Sequence, residues 1–116
     1  MMRANTKQAI SDSTQALLFT ANENPDTFGK LVFGGELNLT ERMRVYIFIR
    51  ATLRGFETQL FHYKSGLLDE EEWQTLQNTI HTTMAYPGAV EVWPELRDVI
   101  SPELRDLIDK GKSDDA

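Results

Sequence analysis

The chain has 116 residues, 41% of them hydrophobic and 26% charged, with no cysteine and a formal net charge of −6. Such a length supports one domain with a modest core, and the missing cysteine excludes disulfides, thiolate catalysis and cysteine-ligated zinc or iron–sulfur centres. The acidic balance lacks the electrostatic footprint of a nucleic-acid binder, so no nucleic-acid partner is expected.

The charge is unevenly spread. Residues 41–64 carry five basic and two acidic groups, while residues 65–116 carry four basic and twelve acidic ones. The basic stretch is expected to face the acidic half of its own fold or an acidic partner. No run of 18 apolar residues occurs, so no membrane span is expected. The first fifteen residues hold no apolar secretory core, and a cytoplasmic location is expected.

In chain order, Thr6 to Ala21 sets Ile10, Leu17 and Leu18 at helical spacing. Asn24-Pro25 reads as a cap followed by proline at the first helical position. The helix it opens carries Phe28, Leu31 and Val32 and stops at Gly34-Gly35. Thr40 is the expected cap of the longest helix, at about 41–65, with Gly66 as its stop. Asp69 and Glu72 form a capping box for the next helix, whose apolar residues are Trp73, Leu76, Ile80 and Met84. Tyr86-Pro87-Gly88 ends it. A further helical segment with Val92, Trp93, Leu96 and Ile100 is expected, interrupted or kinked at Pro94. Ser101-Pro102-Glu103 caps a last short helix with Leu104, Leu107 and Ile108, and Gly111 begins a polar tail.

Val45-Tyr46-Ile47-Phe48-Ile49 has the composition of a strand. Yet no turn residues flank it, and Val45, Ile49, Leu53, Phe56, Leu60 and Tyr63 share one helical stripe. Ile47 and Phe48 fall well off that stripe, and a helix apolar on several sides is usually surrounded by others. The sequence therefore predicts an all-α single domain over 1–116. Four to five helices pack around the long central one, with 1–8 and 111–116 frayed or flexible.

The strings LTERMRVYIFIRATLRGFETQLFHYKSGLLDEEEW and YPGAVEVWPELRDVISPELRDLID contain Glu57, Gly66-Leu67-Leu68-Asp69, Trp73, Pro87-Gly88, Trp93, Arg97 and Ser101-Pro102. On these residues, over roughly 37–110, the chain resembles a family of small, uncharacterised helical bacterial proteins. The resemblance implies a helical fold and no activity. Some members of that family carry a membrane anchor ahead of the domain, which is not expected here.

Familiar catalytic patterns are missing. Asp69-Glu70-Glu71-Glu72 lacks the spacing and loop glycine of an EF-hand and reads as acids opposing a helix dipole. His62 and His81 lie nineteen positions apart with no HExxH-like pairing. Gly34-Gly35 lacks the Lys-Ser or Lys-Thr of a phosphate loop. No catalytic residue, metal site or cofactor is predicted. Arg50, Arg54 and Glu57 fall together at the edge of the buried stripe, where Arg97 could join them. Read functionally, with Trp73 and Trp93 they would line an anion or small-ligand pocket. Read structurally, they are an ion network with Glu57 buried against an arginine. Ile47 and Phe48 instead suggest an apolar patch for a protein partner or a second copy. The expected function is a non-enzymatic protein-interaction module or accessory subunit, with a small-ligand or anion-sensing bundle as the alternative.

Overall fold

Each helix start is visible in its local chemistry. The computed structural model describes residues 24–115, so the helix expected at Thr6 to Ala21 lies outside the described residues. Helix α1 (Pro25–Phe33) begins with Pro25 in its first turn, although Asn24 at the cap position makes no side-chain bond. It ends at Gly34, whose φ is +93°.

Helix α2 (Leu39–Lys64) starts two residues before the expected boundary. The cap is Asn38 and not Thr40. Asn38 Oδ1 accepts from the Glu41 N–H at 2.8 Å, and Glu41 Oε1 accepts from the Asn38 N–H at 3.0 Å. This reciprocal pair satisfies two otherwise orphaned donors, an advantage Thr40 lacks with Met43 three positions on. At the far end the Gly66 N–H reaches the Tyr63 carbonyl and the Leu67 N–H reaches that of His62. Gly66 has φ +81°, the left-handed conformation expected of it. Asp69 and Glu72 then close the expected capping box of α3 (Glu70–Met84).

The further helical segment expected after α3 begins at the Pro87-Gly88 pair itself, which the sequence suggested as the ending of α3. Pro87 stands in the first turn of α4 (Pro87–Leu96), the position where its missing N–H costs nothing. Pro94 lies inside α4 without ending it, since the Arg97 N–H still reaches the Trp93 carbonyl at 3.0 Å. Ile100 follows the helix and remains buried in the core. Ser101 Oγ accepts from the Leu104 N–H and opens α5 (Pro102–Asp115). That helix passes through Gly111, where the sequence suggested a polar tail. Gly111 is buried against the His81 ring of α3, and Lys112 Nζ donates to the Met84 carbonyl at the C-terminal end of α3.

Among the described residues these five helices are the only regular elements, and there is no strand. Helix α2 touches all four others, which makes it the centre of the bundle. Its Val45, Ile49, Leu53 and Phe56 meet Leu31 of α1, Ile80 and Met84 of α3, and Val92 and Leu96 of α4. Leu104 and Ile108 of α5 complete that core. Each such side chain, fully buried, contributes roughly 1.5–3 kcal/mol. A smaller cluster forms at the corner between α2 and α3, where Leu68, Trp73 and Leu76 pack with Leu60 and Tyr63. The Trp73 and Tyr63 rings stack at 4.7 Å. No helix of the described residues is long and apolar enough to cross a membrane.

Candidate functional site

The polar residues singled out by sequence separate into three places. Trp93 and Arg97 sit four positions apart, so they project from one side at the end of α4. They converge on Asp109 of α5. Trp93 Nε1 donates to Asp109 Oδ1 at 3.2 Å, and Arg97 Nη2 donates to Oδ2 at 2.7 Å. Desolvation by itself raises the Asp109 pKa, but the bonds from Arg97 and then Trp93 outweigh it and hold the carboxyl below its ordinary value. The Arg97 guanidinium is in turn raised by its bond to Asp109. Trp73 belongs instead to the α2–α3 corner, stacked on Tyr63. The Tyr63 hydroxyl donates to Glu70, a bond that raises its pKa.

Arg50, Arg54 and Glu57 form the third place, on the outer side of α2. Both arginines are exposed, and Glu57 is only half-buried. The expectation that Glu57 is buried and bonded to Arg50, Arg54 or Arg97 is not met. No ion pair joins it to any described residue. The reason is positional: among the described residues, the core that α1, α3, α4 and α5 build with α2 lies on its Val45, Ile49, Leu53 and Phe56 side, away from this edge. The carboxylate that engages Arg97 is Asp109. Arg50, Arg54, Glu57, Trp73, Trp93 and Arg97 thus do not line one pocket. Among the described residues, no group of three histidines or carboxylates is arranged to hold a metal ion.

The patch residues also separate. Ile47 is exposed, but Phe48 is half-buried and packs against the core. The apolar outer surface continues the other way, through Met43 and Leu39. Exposure is high at all three: Leu39 76%, Met43 56% and Ile47 62%. At 100° per residue, Leu39, Met43, Ile47, Arg50, Arg54, Glu57 and Phe61 lie within an arc of about 80°. They form a ridge along the whole of α2, apolar in its first turns, cationic in its middle and ending at Phe61, itself 66% exposed.

Away from the ridge, ion pairs tie α2 to α4 and α1. Arg42 makes a two-pronged contact with Glu95 of α4 at 2.8 and 2.6 Å. That hydrogen bond raises the guanidinium pKa and lowers the carboxyl one. Glu41 is lowered first by the Asn38 backbone N–H and next by Lys30 of α1, whose ammonium lies 2.9 Å away.

Sequence reasoning missed Asp109, Leu39 and Met43. Starting the helix at 41 left Leu39 outside it. The Asn38-x-x-Glu41 box was the available signal, because a start at Leu39 aligns 39, 43 and 47 on successive turns. For Asp109 no local pattern existed, since its partners lie twelve and sixteen positions away.

Comparison with protein-family models, curated proteins and solved structures found no match.

Proposed function

We propose that this chain works by binding another protein along the ridge of α2, and not by chemistry. The observation that carries the reading is the run of Leu39, Met43 and Ile47, exposed on successive turns of the helix whose other side forms the core. Single exposed apolar residues are ordinary on a soluble protein, but an aligned run on a rigid element is the usual form of a docking surface. The half of α2 behind it is clamped by the core, so the ridge is presented without an ordering cost at binding.

An anion-sensing role has less support, because the arginines and tryptophans it requires lie in three separate places. A cytoplasmic setting belongs to the proposal, as does kinship with the small helical bacterial family. The features shared with that family, such as Gly66, Asp69 and Trp73, are turn, cap and core residues, which support a fold and carry no activity.

A photo-crosslinking residue at Met43, in cells that express the chain naturally, tests the proposal. The expected result is a discrete protein adduct that disappears in an Ile47→Asp background. No adduct should form when the probe stands at Asn78, exposed on α3. Equal adducts from Met43 and Asn78 would remove the ridge from the account.

A further inference from the structure

The ridge changes chemistry along its length. Leu39 to Ile47 spans about 12 Å of apolar surface, and Arg54 lies about 10 Å further on. Among the described residues the arginines divide into two groups. Arg42, Arg97 and Arg105 each lie beside a carboxylate. Arg44, Arg50 and Arg54 are exposed with no carboxylate of the described residues bonded to any of them, and of these Arg50 and Arg54 lie on the ridge. This occurs in a chain with 18 acidic and 12 basic residues, where carboxylates are in excess. The two cations are left open on the same line as the apolar strip.

Resting on the docking reading above, we propose that the occupant of this ridge is an acidic amphipathic helix of another protein. Its apolar side chains would lie over Leu39, Met43 and Ile47, and its carboxylates one to two turns further on would meet Arg50 and Arg54. Charge complementarity selects this occupant. A nucleic acid would find only a short cationic step to hold its phosphates, and its backbone brings nothing apolar to lie over Leu39, Met43 and Ile47. A second copy would bring the same two arginines and no matching acids on its own ridge beyond Glu57. Three apolar side chains also fall well short of the roughly 800 Å² per partner that a stable dimer buries. A helix carrying carboxylates supplies what the ridge lacks, and its contact with Arg50 and Arg54 weakens as salt is raised.

The test uses the full chain, isotope-labelled, and two synthetic helical peptides. One carries leucines four residues apart, followed on the same face by glutamates; its twin carries lysines in place of the glutamates. The acidic peptide is expected to shift the amide signals of residues 39–54 saturably, with affinity falling as salt is raised. Arg50→Glu with Arg54→Glu, both exposed positions where the fold tolerates change, should reverse the preference at least tenfold in favour of the lysine twin. If the unaltered chain binds both peptides equally, docking on the ridge stands but the acidic partner is overturned. Three other results also overturn it: binding to anionic phospholipid vesicles in place of the peptide, self-association abolished by Ile47→Asp, and Ile47 methyl contacts to residues 1–23 of the same chain. No shift with either peptide removes both the acidic partner and the ridge.

Discussion

Asp109 and Gln59 show how differently two polar side chains can serve the same core. Asp109 accepts from the buried Trp93 indole and from Arg97, so removing its carboxyl leaves an indole N–H without an acceptor. Asp109→Ala should cost about 1 kcal/mol, at the low end because the Asp109 side chain is 37% exposed. Thermal unfolding measures it. The pH dependence follows from the direction of the shift. Because the folded pKa lies below the ordinary aspartate value of about 3.9, the contribution is fully present above that value. It is lost as pH falls through the lower folded one. The gap in stability between the natural chain and Asp109→Asn should therefore be constant near neutrality and close in acid. A gap that widens in acid would contradict the assignment. Gln59 is the reverse case: it is buried, and its Oε1 accepts no hydrogen bond. Gln59→Met should raise stability by about 1 kcal/mol, since an unsatisfied acceptor is replaced by apolar volume. A destabilised variant would indicate that Gln59 has a partner in solution.

The helices are set by caps and close approaches more than by propensity. Asn38→Ala removes the α2 cap and should cost about 1 kcal/mol, whereas Thr40→Ala should change stability by less than about 0.5 kcal/mol. The two melting curves decide which residue starts the helix. Two glycines separate backbone strain from steric contact. A Cβ at Gly66 meets nothing within 4 Å, so Gly66→Ala pays only for its φ of +81°, about 1 kcal/mol. A Cβ at Gly88 would stand 2.7 Å from the Leu31 Cα, so α1 and α4 must move apart. That overpacking should make Gly88→Ala the worse change, at about 1–3 kcal/mol. Much at this scale was legible in the sequence. The buried residues Trp73, Leu76, Ile80 and Met84 follow from helical spacing alone, and Gly66 and Asp69 announce the α2–α3 corner. Pro87 was harder, because proline both follows helices and opens them, and only the neighbouring packing of α4 on α1 and α2 decides between the two.

For the whole molecule, the central position of α2 was readable from its several apolar sides, and the open ridge was not. A helical wheel gives the apolar directions of a helix but not which of them its neighbours will cover. Here the neighbours cover Phe48 partly and leave Ile47 bare, although the two are adjacent in sequence. The arginine–tryptophan pocket failed for a related reason, since residues on separate helices converge only as tertiary packing dictates. Ile47→Asp should leave the melting temperature essentially unchanged, while Phe48→Asp should lower it by placing a carboxylate against the core. The central claim is that α2 buries one side and presents the other. A soluble paramagnetic agent added to the methyl-labelled chain tests it most directly. Strong relaxation enhancement is predicted at Leu39, Met43 and Ile47, with Val45, Ile49 and Leu53 protected. Equal protection of Ile47 and Ile49 would contradict the account.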